Sequence, residues 1–314
     1  MRQVQGRGAL AAFNLVPCMT ETAKPGTRER VFTGIGLTTL AYFLFSCQDA
    51  AIKLLVETID VWQIMFFRSV VVLTGCVLFS GPGVIVQSVR SPIVGAMVAR
   101  SVLILSAWLS FYGAAKYLQL AELTTIYFAA PVIVTVLSIV VLGEKVPALR
   151  WVAVLTGFVG VFVACDPGAT GLSWPIVMVL AAAFLWAMSV VLIRKLALRE
   201  RTIIQIVLNN VFFLAAAAVP MIVTWHTPSA TELTLMVSVG LVGGLAQFGM
   251  FEGMKHAEAS VLAGFEYTAL IWAFLFGYMI WGDLPRPAVF FGAALIFGAG
   301  LLMVVGERAR LRRV

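Results

Sequence analysis

Two stretches decide the fold: KYLQLAELTTIYFAAPVIVTVLSIVVLGE at Lys116–Glu144 and KHAEASVLAGFEYTALIWAFLFGYMIWGD at Lys255–Asp283. Laid over each other at an offset of 139 residues, Lys116 falls on Lys255, Tyr127 on Glu266, and Gly143-Glu144 on Gly282-Asp283. Earlier in the chain an offset of 142 brings Lys53-Leu54 onto Lys195-Leu196 and Gln63-Ile64 onto Gln205-Ile206. The matches arrive in order and keep nearly constant spacing, the mark of an internal duplication. Each stretch is an apolar run long enough to cross a bilayer as a helix, which takes about 20 residues.

Working outward, similar runs fill the chain. They cover 33–55, 61–80, 94–115, 121–143, 149–165, 174–196, 202–224, 232–254, 259–281 and 287–306. Gly81-Pro82-Gly83, Pro147, Pro167-Gly168, Pro228 and Pro285 punctuate them, as helix breakers should. Of the 314 residues 61% are hydrophobic and 12% charged; a soluble chain carries about twice that charged fraction. The expectation is an all-α integral membrane protein of ten transmembrane helices. The domain reading is a cytoplasmic tail at 1–32, five-helix repeats at 33–165 and 174–306, and a basic cytoplasmic tail at 307–314. Five is odd, so the second repeat enters the membrane from the opposite side. Such inverted repeats are the architecture of many secondary transporters.

Lysine and arginine set the orientation. With both termini inside, 17 of the 22 lie on the cytoplasmic side; Lys53, Lys116 and Arg286 lie outside, and Arg68 and Arg100 fall within spans. That asymmetry follows the positive-inside rule. It also explains the net charge of +7 without nucleic acid, because the basic residues sit at helix ends. At the N-terminus, Arg2 and Arg7 before Gly8–Val16 faintly resemble a signal peptide, and Leu15–Cys18 a lipoprotein box. The run is short, is interrupted by Asn14 and lacks a cleavage site. Met1 and Met19 both stand as the start.

Several classes of function lose support here. The four cysteines are isolated, three of them in or beside apolar runs, where cysteine serves as a small hydrophobe. His226 and His256 fall at opposite membrane faces, and neither HExxH nor GxxxxGK[ST] occurs. No cofactor, metal or enzymatic activity is expected. An intramembrane enzyme, or a scaffold or receptor without transport activity, is the alternative to a carrier.

Charged groups at the bilayer centre cost about 2.5–3.5 kcal/mol each on insertion scales, so their presence points to use. Arg68 lies about eight residues into the second span, roughly 12 Å deep at 1.5 Å per residue. Arg100 enters the third span less deeply, Glu266 stands well inside the ninth, and Asp49 sits in the outer part of the first. Three of them have a plain structural reading: an interhelical ion pair for Arg68, snorkelling to the interface for Arg100, a hydrogen-bonded carboxyl for Glu266. Trp108, Tyr127, Asn209, Asn210, Gln247 and Tyr267 lie at similar depths. Asn209 and Asn210 are adjacent on a helix, so at most one faces a cavity. The substrate-binding candidates are Arg68, Arg100, Trp108, Tyr127, Asn210, Gln247, Glu266 and Tyr267. Pro131, one turn after Tyr127, should kink the fourth helix. Gly240, Gly243, Gly244 and Gly249 read as close-packing positions.

The stretches Trp62–Arg68 (WQIMFFR), Lys116–Glu144 and its degenerate copy Lys255–Asp283 resemble the EamA branch of the drug/metabolite transporter superfamily, over about residues 33–306. The resemblance implies ten helices, a central cavity, and uniport or proton-linked exchange in a bacterial inner membrane. It also implies cargo among amino-acid derivatives, vitamins such as riboflavin, nucleoside-like compounds such as S-adenosylmethionine, and amphipathic drugs. Two arginines favour an anionic group on that cargo, and the aromatics favour a planar portion. The partners expected are therefore a small-molecule substrate, the lipid bilayer and protons as coupling ion, with no nucleic acid; a homodimer is compatible with this reading. Glu266 is the expected proton site, facing Tyr127 across the two repeats.

Overall fold

The computed structural model describes residues 25–142, 148–166, 173–194, 201–256 and 265–311. Both candidate starts, Gly143-Glu144, Pro147, Pro167-Gly168 and Lys195 lie outside the described residues, as does the last part of the C-terminal tail. Within them the chain is helical, with no strand. The helices are α1 (Pro25–Leu55), α2 (Val61–Ser80), α3 (Gly83–Val89), α4 (Val94–Ala115), α5 (Leu120–Tyr127), α6 (Ala129–Leu142) and α7 (Ala148–Cys165). They continue as α8 (Trp174–Arg194), α9 (Thr202–Val223), α10 (Ala230–His256), α11 (Thr268–Phe276) with a π-helical extension over Gly277–Trp281, and α12 (Pro287–Leu311).

Local chemistry sets the ends. Asp60 caps α2, its carboxylate accepting from the Trp62 amide at 3.0 Å, which satisfies one of the donors a helix start leaves unpaired. The π-helical turn closes at Gly282, whose φ of +68° is a left-handed conformation that glycine adopts without steric cost. The fourth span is not one helix. It opens at Phe128, between α5 and α6, because Pro131 offers no N–H to the Tyr127 carbonyl and its ring crowds that carbonyl. The ninth span opens at Tyr267, just before α11. Phe128 and Tyr267 are repeat equivalents at the offset of 139, so both copies break at the same place.

Among the described residues, seven helical segments are long and apolar enough to cross a membrane: Phe32–Leu55, Val61–Ser80, Val94–Ala115, Leu120–Val141, Trp174–Leu192, Thr202–Val223 and Ala230–Gly253. Three shorter apolar helices, Trp151–Cys165, Thr268–Trp281 and Pro287–Leu302, stand where the sequence places the fifth, ninth and tenth spans. The bundle is apolar on its outer surface and keeps its polar side chains buried within an apolar core. Phe79, Val140, Phe158, Val219 and Val223 face outward, while Gln63, Ser69, Ser101, Asn209 and Asn210 are buried. Lipid surroundings call for that placement of the polar groups, since a polar group facing hydrocarbon has no partner.

The packing partners form a symmetric set. α1 lies along α10, and α8 lies along α4. α2 packs on α10 as α9 packs on α4, and α6 packs on α8 as α11 packs on α1. α2 with α9, and α7 with α12, complete it. Replace each of these helices by its counterpart in the other repeat and these pairs are unchanged, so the two repeats interdigitate about a pseudo-two-fold axis; the short α3, which packs on α9, has no counterpart. Small residues bring the backbones close. A side chain on Gly160 would meet the Gly292 carbonyl, and one on Gly240 or Gly244 would press on Val71 or Val72 of α2. The glycines of α10 are thus packing positions, as read from the sequence.

One end of the bundle, that of the α1–α2 turn, is tied by polar contacts. Lys53 Nζ donates to the carbonyls of Ala115 (2.9 Å) and Leu118 (2.6 Å), capping α4, and lies 5.3 Å from the centre of the Trp281 ring. The Gln63 amide clamps the backbone of His226 from both sides, donating to its carbonyl at 2.8 Å and accepting from its N–H at 3.0 Å. Thr58 bonds Glu232, and Arg286 pairs with Glu122 and Asp166.

Candidate functional site

A cavity of about 270 Å³ occupies the middle of the bundle, with walls from both repeats. From α1 come Tyr42, Phe45, Ser46, Gln48 and Asp49; from α2, Arg68; from α4, Arg100, Ile104, Trp108, Phe111 and Tyr112. The broken fourth span supplies Thr124, Tyr127, Phe128 and Pro131. The second repeat adds Trp186 and Val190 from α8, Asn209 from α9, Gln247, Met250 and Phe251 from α10, and Glu266 and Ala269 beside the second break.

Arg68 is the centre of a built arrangement. Its side chain is 1% exposed, yet three groups hold it. Nε donates to Gln48 Oε1 at 3.3 Å, Nη1 reaches Asn210 Oδ1 at 3.4 Å, and the guanidinium lies 4.4 Å from the centre of the Trp108 ring. Stacking on an aromatic face offsets part of the cost of taking the charge out of water. Nη2 has no protein partner. The chain of bonds continues past Gln48, whose Nε2 donates to the Tyr112 hydroxyl (3.1 Å), which donates to Asp49 Oδ1 (3.1 Å). Gly243 makes this possible: any side chain there would overlap the Gln48 carbonyl oxygen.

Arg100 does not snorkel. It is 8% exposed, faces the cavity, and its Nε lacks a partner. Nearby on the same helix Ser101 donates to Asn209 Oδ1 at 2.7 Å, orienting an amide that lines the wall. Gln247 Oε1 is buried without a hydrogen bond. Glu266 lines the same cavity as Tyr42 and Tyr127. No cationic side chain among the described residues pairs with Glu266.

Six of the eight sequence candidates therefore meet at one cavity: Arg68, Arg100, Trp108, Tyr127, Gln247 and Glu266. Two do not. Asn210 is fully buried behind Arg68, with its Nδ2 given to the Ile206 carbonyl at 2.8 Å, and Asn209 takes the wall position. Tyr267 is turned away: its ring stacks on Phe128 at 5.2 Å and covers Gly300, where a side chain would collide with it. The sequence reading missed Tyr42, Gln48, Tyr112 and Trp186. Gln48 carried a signal, since Gln48-Asp49 is a polar pair inside an apolar span. An aromatic residue in a helix carries none, being as suited to packing as to a cavity wall.

Against known proteins, the model of the EamA-like transporter family matches the chain twice, over residues 32–165 and again over 173–305. The chain belongs to the EamA-like transporter family. This EamA-like transporter is similar to the S-adenosylmethionine uptake transporter of Rickettsia conorii, at 26% identity over 291 residues, covering 90% of this chain and 95% of that one. It is similar to the pseudopaline exporter of Pseudomonas aeruginosa at 27% identity over 272 residues, 84% and 93% of the two chains. With the riboflavin transporter of Vibrio cholerae it shares 28% identity over 188 residues, 59% and 62% of the two. A solved crystal structure superposes with a TM-score of 0.60 at 19% identity, covering 91% of this chain and 99% of that one; the likeness is one of fold. The EamA-like transporter is thus a multi-pass, two-repeat membrane protein of a family that moves small molecules.

Proposed function

We propose that this EamA-like transporter is a secondary carrier for a small organic metabolite bearing an anionic group, and that it works by alternating access in a bacterial inner membrane. Arg68 carries the reading. Its guanidinium is oriented by Gln48, Asn210 and Trp108 at the cavity wall and keeps one nitrogen without a protein partner. A fixed fork with a spare donor suits a carboxylate or phosphate. Arg100 adds a second cation and Trp108 a flat surface. Relatives named for S-adenosylmethionine, riboflavin and pseudopaline support cargo of metabolite size. In this reading the chain does no chemistry on its cargo and needs no cofactor.

The associated topology is ten crossings in two oppositely oriented repeats, residues 33–165 and 174–306, with both termini cytoplasmic. The ties made by Lys53, Gln63, Thr58 and Arg286 then lie at the outer face and close it. Protons are the coupling ion, exchanged at Glu266; a homodimer is compatible with the reading but not required by it. Purified protein in vesicles tests both parts, with labelled S-adenosylmethionine, riboflavin and a panel of amino-acid conjugates as cargo. Flux of at least one anionic member, abolished in Arg68→Ala, is the expected result; flux that is indifferent to Arg68 removes the anion reading. Glu266→Gln should then lose the response to an imposed pH gradient while keeping some exchange. A wild type that ignores the gradient ends the proton assignment.

A further inference from the structure

Arg68 is a buried cation, and no carboxylate among the described residues lies at ion-pair distance from it. A charge taken out of water needs an answer somewhere in the interior. A chain of three hydrogen bonds leads to one. Arg68 Nε can only donate, so it fixes the Gln48 amide with Oε1 toward the guanidinium and Nε2 toward Tyr112. The Tyr112 hydroxyl accepts there, and its one proton goes to Asp49 Oδ1. Every donor in the chain is thereby assigned, and an acid stands at the end away from the cation. Arg68 and Asp49 both line the cavity, and Arg68 Nη2 has no protein partner.

We infer that Asp49 is the counter-charge of Arg68 in the empty carrier, joined to it through Tyr112 and Gln48, and that it sets the affinity of the Arg68 site for an anion. Asp49 is thus a positioning residue, and the inference rests on the function proposed above in taking Arg68 as the place where the anion binds. An anion at Nη2 and the Asp49 carboxylate compete for one positive charge. Bonds of 3.3, 3.1 and 3.1 Å and the width of one amide put the ends of the chain within about 12 Å of each other. At that separation, with an effective dielectric constant of about 20, like charges weaken each other's binding about tenfold. Protonation of Asp49 leaves Oδ1 to accept from Tyr112, so the chain keeps its direction while the competing charge goes. Anion binding then tightens, and by reciprocity the bound anion favours the protonated acid. The other titratable groups near Asp49 are Tyr42, Cys47 and Lys53 on its own helix, Arg100 on α4, and Tyr127 and Glu266 beside the two breaks. Lys53 is committed to the carbonyls of Ala115 and Leu118. Glu266 is the second acid, and the test must tell the two apart.

Calorimetric titration of benzoate into the full chain in lipid nanodiscs tests the inference, with benzamide as its uncharged isostere. Benzoate stays ionised from about pH 8 down to about pH 5.5. Over that range wild-type affinity for benzoate should rise about tenfold as the pH falls, with proton uptake read from the dependence of the heat on the buffer. Benzamide should show neither effect. Asp49→Asn keeps an oxygen for Tyr112 and removes the charge. It should bind benzoate about tenfold more tightly than wild type at about pH 8, with no pH dependence, and a gain in affinity cannot come from misfolding. Tyr112→Phe keeps both charges and cuts the chain, so it should act in the opposite direction, weakening benzoate about threefold and keeping the pH dependence. Asp49→Asn binding no tighter than wild type overturns the counter-charge, and so does a pH dependence that survives in Asp49→Asn and vanishes in Glu266→Gln. Where Arg68→Ala still loses benzoate, those two outcomes leave the anion site standing. Benzoate binding indifferent to Arg68 overturns the anion reading and the counter-charge together.

Discussion

Arg68 is buried among the apolar residues of the core, and its charge is tolerable only because each of its contacts has a fixed direction. Lysine offers a point charge without the planar fork. In the vesicle flux assay Arg68→Lys should therefore lower transport about tenfold, which corresponds to about 1.4 kcal/mol, while folded protein still reaches the membrane. Arg68→Ala should abolish it. Loss of folded protein in both variants would instead make Arg68 a structural ion. Gly243→Ala is a second test, made on α10 beside the charge, where a Cβ would stand 3.3 Å from Arg68 Nε. The new methyl would displace Gln48 and with it the bond to Arg68 Nε. Overpacking costs about 1–3 kcal/mol, so a lowered melting temperature and weakened transport are expected together. Gly243→Ala transport equal to wild type would mean that Gln48 does not matter. Arg68 is legible in the sequence because charge stands out in an apolar run. Gln48 shows as a polar residue in its apolar span, but its pairing with a glycine on another helix is announced by nothing local to either residue.

Elements that depend on local chemistry follow the sequence closely. α2 and α4 begin and end where their apolar runs do, and the fourth span breaks next to the proline that forecasts it. The ninth span breaks without one. Thr268, whose hydroxyl donates to the Phe265 carbonyl at 2.6 Å, offers the backbone a local competitor there, but threonine is too common in helices for the sequence to flag it. The α3 turn of helix is likewise missed, being too short for apolar periodicity to register. Lys53 reads from the sequence as an outer-side cation at the end of the first span and in the fold caps α4. Its two bonds to the α4 end are of the charge-assisted kind, worth about 1.5–3 kcal/mol each at most. Lys53→Met keeps the stem and removes both. The expected outcome is a lowered unfolding temperature in detergent, with faster cysteine labelling at position 118 in a Leu118→Cys background. An unchanged labelling rate would show that the tie does not hold the α1–α2 end closed.

At the scale of the molecule, the pairing of α1 with α10 and of α8 with α4 makes each repeat the scaffold of the other. Neither five-helix half has a core of its own, so a half expressed alone should fail to give a monodisperse species in detergent, whereas co-expressed halves should reassemble. A monodisperse single half would contradict the interdigitated packing. The topology has its own test: a reporter active only outside the cytoplasm should be silent when fused after Val314, and strong activity there would remove the ten-crossing reading. The stacked pair Phe128 and Tyr267 also has a historical side. If the halves were once separate chains assembled as an antiparallel dimer, one residue at this position would have met its own copy on the axis. A change there would have altered both sides at once, and a neighbour such as the ancestor of Tyr127 and Glu266 would have been the same group on both walls. Duplication, here within one chain, removes that constraint. The phenol of Tyr127 and the acid of Glu266 are a difference that a dimer of identical chains could not have carried.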